Sequence, residues 1–155
     1  MAFPSDDNKP MSNGQKNTQQ ELWRFDKRID SEPDNCAKII EILLVQLETF
    51  GWSNRDSFGI HMAMEEAILN AIRHGNQCDP EKQVHVQIEL CHERFYSQVT
   101  DQGAGFRLCD VPDPTLEENL DNTCGRGVML IKNFVDRVQY NEAGNSVELV
   151  KTRSK

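Results

Sequence analysis

The stretch KQVHVQIELC, residues 82–91, alternates apolar and polar side chains without a break, and no other part of the chain limits the fold so tightly. Successive side chains of a strand point to opposite faces, so Val84, Val86, Ile88 and Leu90 share one face. RFYSQVT, residues 94–100, follows after only His92 and Glu93. Two strands joined so tightly form an antiparallel hairpin. A sheet with one apolar face must bury that face against another layer.

The rest of the chain offers the cover. ELWRFDKRI (21–29) alternates and carries Trp23 and Phe25, which predicts a first strand. SEPDN supplies turn chemistry and a helix start, and Ile40, Leu43, Leu44 and Leu47 follow at helical spacing until Phe50-Gly51. A second helix is predicted over 54–74, with Ile60, Met64, Ala67, Ile68 and Ala71 as its apolar stripe. GRGVMLIKNFV (125–135) opens with glycines and turns into a short helix. Strands at 136–140 and 146–151 flank the turn NEAGN. There is no internal repeat. The expectation is an α/β (α+β) two-layer sandwich. Its sheet is mixed but mostly antiparallel, covered on one face by about three helices. Residues 1–20 are polar and rich in Asn, Gln, Ser, Asp and Pro, which predicts a disordered tail before a domain spanning 21–152.

Composition narrows the class. With 155 residues the chain is long enough for one domain with its own core. The balance of 17 basic against 25 acidic residues leaves a net charge of −8, which argues against general affinity for nucleic acid or anionic membranes. Cys36, Cys78, Cys91, Cys109 and Cys124 are odd in number and form no Cys-x-x-Cys pair, so neither a zinc site nor a disulfide framework is expected. A reducing cytoplasm is the plain reading. The N-terminus has no basic region followed by an apolar one, and no apolar run approaches the roughly 18 residues of a membrane span. His61, His85 and His92 read as surface or strand-face histidines, Met62 and Met64 as packing, and Trp23 and Trp52 as core or interface anchors.

Three motifs carry chemistry. In EEAILNAIRHG, at about 100° per residue, Glu66, Asn70 and Arg73 fall within a wedge of about 60°, away from the centre of the apolar stripe. An amide oxygen suits Mg²⁺, a hard cation, and a carboxylate one turn earlier can take a proton from a nucleophile. Taken alone, the pair reads as a solvated helix face ending in a His-Gly cap. In DQGAGF, Asp101 ends a strand, and Gly103 and Gly105 let the backbone approach a flat ligand before Phe106. A fixed acceptor at Asp101 suits the exocyclic amine of adenine and disfavours guanine, which shows a carbonyl there. Alone, this is also a glycine-rich turn leaving a sheet. In GRGV, Gly125, Arg126, Gly127 and Val128 open a helix, where free backbone N–H groups and the helix dipole attract phosphate. A lone Gly-x-Gly is equally a turn with an exposed Arg. It is the three in this order, each on a suitable element, that point to an ATP site.

EAILNAIRHG, DQGAGF and GRGVMLI resemble the three nucleotide-binding boxes of the GHKL (Bergerat-fold) ATPases, over about residues 21–152. The Glu-x-x-x-Asn-Ala-x-x-His-Gly form, the compact lid and the terminal hairpin look most like the anti-sigma-factor serine/threonine kinases. The resemblance implies Glu66 as general base, Asn70 as Mg²⁺ ligand and Asp101 as adenine reader. It implies Gly103, Gly105 and Phe106 in the adenine pocket, and Arg73, His74 and Gly75 closing the first box near the ribose or triphosphate. Gly125, Arg126, Gly127 and Val128 would form the phosphate loop, and residues 107–124 the ATP lid. It further implies ATP and Mg²⁺, an anti-anti-sigma (STAS) protein as phosphate acceptor, a sigma factor as second partner, a homodimer, and no direct contact with nucleic acid or membrane.

Other readings use the same boxes. The catalytic module of a sensor histidine kinase needs a dimerising helical hairpin with its own phospho-accepting His, and the residues before the first strand are too few and too polar. An ATP-gated binding module without phosphotransfer has no need of Glu66. A simple ATP hydrolase would use Glu66 to activate water.

Overall fold

The computed structural model describes residues 21–104 and 131–155. Five strands form one sheet: β1 (Trp23–Asp30), β2 (Gln83–Leu90), β3 (Arg94–Thr100), β4 (Arg137–Tyr140) and β5 (Ser146–Thr152), in the order β1-β2-β3-β5-β4. All four pairings are antiparallel, so the sheet holds no parallel pair among the described residues.

The register follows from the alternation. Phe25 lies opposite Ile88, Ile88 opposite Ser97, and Ser97 opposite Leu149, so one row of side chains crosses four strands on the covered face. A one-residue slip would turn every apolar side chain of a strand to water. Ser97 is the polar member of this row, fully buried, and its hydroxyl donates to the Gln87 carbonyl at 2.9 Å. The other face stays polar. There His85 lies 2.6 Å from Asp26 across β1 and β2, and this contact holds the Asp26 carboxyl below the usual carboxylate range. His61 and His92 also face outward, beside Glu65 and Glu21, as their sequence context suggested.

Helix α1 (Pro33–Thr49) begins on a proline, whose missing N–H costs nothing in a first turn. It ends at Gly51, which has a φ of +75°. Trp52 N–H donates to the Leu47 carbonyl and Gly51 N–H to that of Glu48, both at 2.9 Å. This is the Schellman closure, and both Trp52 and Leu47 lie buried in the core. Trp52 also donates its indole N–H to the Cys91 carbonyl at 2.9 Å, which ties the end of α1 to the β2–β3 hairpin. Helix α2 (Asn54–Asn70) starts at Ser53, whose side chain accepts the Asp56 N–H. Every residue of the expected stripe, Ile60, Met64, Ala67, Ile68 and Ala71, is buried, and with Ile40, Leu43 and Leu47 of α1 they cover the sheet. Residues 131–134 are also helical, and Ile131 and Val135 join the same core.

One boundary differs from the sequence reading. The second helix was expected to run as α-helix to His74, but from Ala71 to Gly75 it widens into a π turn. The Asn76 N–H reaches back five residues to the Ala71 carbonyl at 2.8 Å. Such a widening inserts one residue into the helical repeat and changes which way the following side chains point.

Among the described cysteines Cys36, Cys78 and Cys91 are free thiols. Burial, and then the nearby Glu65 charge, push the Cys36 thiol up to about 12, so it behaves as a small core hydrophobe. No helix among the described residues is long and apolar enough to cross a membrane.

Candidate functional site

The end of α2 meets the end of β3, and the meeting is close. Gly75 closes the π turn directly against the Asp101 carboxylate. A Cβ built on Gly75 would come within 2.6 Å of Asp101 Oδ1 and closer still to the rest of the carboxyl group. Gly103 in turn packs on the Gly75 carbonyl oxygen, where a Cβ would overlap backbone. The His-Gly end of the first motif and the Asp-x-Gly of the second are thus two sides of one contact. The residue types are needed because only hydrogen fits at both positions.

Asp101 is held from three directions. Its N–H donates to the Asn145 carbonyl at 2.8 Å, and its own carbonyl accepts from Asn145 Nδ2 at 3.0 Å, so the β4–β5 turn fixes its backbone. Its Oδ1 accepts the Gly103 N–H at 2.8 Å, an Asx turn. Oδ2 has no hydrogen-bond partner among the described residues. Burial pushes the Asp101 carboxyl above the usual range, although the Gly103 N–H and the Lys82 charge offset part of that. A half-buried acceptor with one oxygen committed and one free is chemically suited to a ligand N–H.

Glu66 and Asn70 stand one turn apart on α2, both half-buried, with no hydrogen bond or ion pair among the described residues. Arg73 and His74 are exposed on the π turn, also without such partners among the described residues. The described residues contain no group of three or more His, Cys, Asp or Glu able to hold a metal ion. Asn70 presents a single amide oxygen, a hard donor of the kind magnesium accepts alongside phosphates and water. The expected adenine-pocket residues Gly105 and Phe106, the lid 107–124, and the phosphate-loop residues Gly125, Arg126, Gly127 and Val128 lie outside the described residues.

The sequence reading passed over Asn76. Its side chain is fully buried. Nδ2 donates to Ser31 Oγ and to the Gln83 carbonyl, each at 3.0 Å, and Oδ1 accepts the Gln102 N–H at 2.7 Å. Gln102 is tied a second time, its Oε1 accepting the Gln83 N–H at 2.6 Å. An Asn beside Gly at a helix end reads from sequence as a cap. A buried network was visible only once the distant strands were in place.

A sheet with one face covered by helices, and a glycine-lined carboxylate where the long second helix meets a strand end, define an ATP-binding domain of the histidine-kinase type. The family described as histidine kinase-like ATPase domain matches residues 29–151. An anti-sigma F factor of Clostridium perfringens (strain SM101 / Type A) is 30% identical over 125 residues, covering 77% of this chain and 86% of the relative. Anti-sigma F factors of Oceanobacillus iheyensis and of Bacillus subtilis (strain 168) are each 30% identical over 102 residues, covering 62% of this chain and 69% of each relative. The chain belongs to the anti-sigma-factor kinase family of GHKL ATPases.

Proposed function

We propose that this protein is an anti-sigma-factor-type serine/threonine protein kinase. It binds Mg·ATP, phosphorylates an anti-anti-sigma (STAS) partner and sequesters a sigma factor in a partner switch. The observation that carries this reading is the pairing of the Asp101 carboxylate, packed on Gly75, with Glu66 and Asn70 on the helix that leads into it, where Asp101 Oδ2, Glu66 and Asn70 have no hydrogen-bond or ion-pair partner among the described residues. The similarity to proteins named anti-sigma F factor supports the sigma-factor half of the switch.

In this reading Asp101 Oδ2 accepts the adenine exocyclic N–H, and Gly75 and Gly103 keep the approach to it clear. Asn70 Oδ1 would hold a magnesium ion, which would neutralise charge on the phosphates. Glu66 takes the proton of the partner's Ser or Thr hydroxyl as its oxygen bonds to the γ-phosphorus and the bond to the β-phosphate oxygen breaks, leaving ADP. In the same reading Arg73 and His74 lie near the phosphates or ribose, and a phosphate loop from Gly125 to Val128 with Arg126 supplies N–H donors and charge. The phosphate adds about −1.5 to −2 of charge to the partner, which weakens its hold on an acidic protein of net charge −8. A homodimer and a cytoplasmic location belong to the same reading. Among the described residues β1 is an edge strand, with the exposed Leu22 before it and the half-buried Trp23 as its first residue, which suits a contact between copies.

The test is incubation with γ-labelled ATP, Mg²⁺ and lysate of the source organism, beside Glu66→Ala. Label on Ser or Thr of one small protein, lost in the variant, is the expected result. ATP bound without transfer would instead mark an ATP-gated binding module, and turnover without a protein acceptor a hydrolase.

A further inference from the structure

Two asparagines of the first motif differ in kind. Asn70 is half-buried with its amide uncommitted among the described residues, whereas the side chain of Asn76 is fully buried and fully used. The orientation of the Asn76 amide is dictated by main-chain partners. The Gln83 carbonyl can only accept, and the Gln102 N–H can only donate, so a flipped amide would set oxygen against oxygen and N–H against N–H. Ser31 fits the same scheme, because its hydroxyl proton goes to the Lys82 carbonyl at 2.6 Å and leaves a lone pair for Asn76.

The consequence falls on Asp101. Within the sequence Asp101-Gln102-Gly103, the Asp101 side chain is closed onto Gly103 N–H, and the intervening N–H is closed onto Asn76. We infer that Asn76 is a positioning residue for nucleotide selection, clamping the Asp101–Gly103 turn so that the free carboxylate oxygen meets an adenine amine and rejects a guanine carbonyl. The inference rests on the ATP reading of Asp101. It goes further by assigning base discrimination to a buried residue that would touch no part of the nucleotide. Without the clamp the Asp101 backbone keeps its two Asn145 bonds, but beyond it the turn is held by the Gln102 side-chain tether and the Asx bond, and the carboxylate can retreat from an opposed carbonyl. Selectivity needs that rigidity more than affinity does, since rejection depends on the acceptor being unable to move.

The experiment compares the full chain with Asn76→Ala and Ser31→Ala. Equilibrium binding of ATP and of GTP is measured for each, with thermal unfolding alongside. The helical backbone of Asn76 accepts Ala without strain. Asn76→Ala is expected to lower the ATP-over-GTP preference by about tenfold, the scale of one hydrogen bond to a buried group. Ser31→Ala removes a partner on the far side of the amide and is expected to lower the melting temperature while keeping the preference. An unchanged preference in folded Asn76→Ala overturns the clamp, and so does an equal loss in Ser31→Ala, which would mark a general effect on the fold. Hydrogen exchange of the wild-type Gln102 amide decides the matter if Asn76→Ala does not fold. Gln102 is an exposed residue, so slowed exchange supports the clamp and exchange at the free-peptide rate overturns it. A wild-type chain without preference for ATP overturns the adenine reading of Asp101 itself, and is thereby distinguished from failure of the clamp alone.

Discussion

Asp101 carries a conflict that a single substitution can expose. Burial raises its carboxyl pKa in the folded chain. A group raised on folding contributes stability that is fully present below its unfolded value and lost as pH rises through the folded one. Ionising Asp101 is therefore a cost to the fold. Asp101→Asn keeps an oxygen for the Gly103 N–H and removes the buried charge, so it is expected to raise the melting temperature at pH 7 while reducing the preference for ATP. The same shift sets a direction for binding in the wild type. As pH falls through a value above the ordinary aspartate range of about 3.9, the carboxyl gains a proton and ATP affinity drops. Calorimetric titrations with ATP from pH 7 downward, on both proteins, check this. A pH step in the wild type that persists unchanged in Asp101→Asn would refute the assignment to Asp101.

At the scale of elements, the π turn and the β3 end have to fit one another. Gly75→Ala presses a methyl group into the Asp101 carboxylate, and Gly103→Ala presses one into the Gly75 backbone. A carboxylate can shift where backbone cannot. Gly75→Ala is thus expected to cost about 1–3 kcal/mol of stability, with ATP affinity reduced, and Gly103→Ala more of both. Urea unfolding and ATP binding measured on the two variants test that ranking, and equal, negligible effects would contradict the close packing. Much of this layer was legible beforehand. The alternation of 82–91 placed Val84, Val86, Ile88 and Leu90 on the covered face, and the stripe from Ile60 to Ala71 is buried throughout. The π turn was not legible, because an apolar stripe at helical spacing does not reveal whether the last hydrogen bond spans four residues or five. Nor did the strands disclose that β5 lies inside β4, since a hairpin reads the same in either direction along the sheet. The glycines of the two motifs were visible as places where backbone comes close. That they close on each other, with Asn76 behind them, depends on partners 26 and 45 positions away.

At the scale of the whole molecule the last residues bind the layers together. Arg153 donates through its guanidinium to the carbonyls of Phe50 and His92 at 3.3 and 3.0 Å and also to that of Gly51, closing the end of α1 and the β2–β3 hairpin at once. Ser154 donates its N–H and hydroxyl to the two oxygens of Asp56, at 2.8 and 2.7 Å. Asp56 is 3% exposed in the first turn of α2, and Lys151 stands 3.7 Å away. Burial alone would raise the Asp56 carboxyl, but the two Ser154 bonds, with Lys151 and Arg55, outweigh it and hold the group below its usual range. A carboxyl lowered on folding contributes stability present above its unfolded value and lost as pH falls through the folded one. Ending the chain at Thr152 removes the guanidinium caps and leaves Asp56 with only the charges of Lys151 and Arg55. The expected cost is about 3 kcal/mol, which for a chain of this size lowers the melting temperature by about 6–12 °C. Asp56→Asn should cost less in the shortened chain than in the full one, because the bonds it weakens are already gone. Thermal unfolding of the four proteins at pH 7 and at a pH below the ordinary aspartate value of 3.8 completes the cycle. The coupling should shrink at the lower pH as Asp56 begins to take up its proton. Additive costs at pH 7 would show that the Asp56–Ser154 contact holds nothing together.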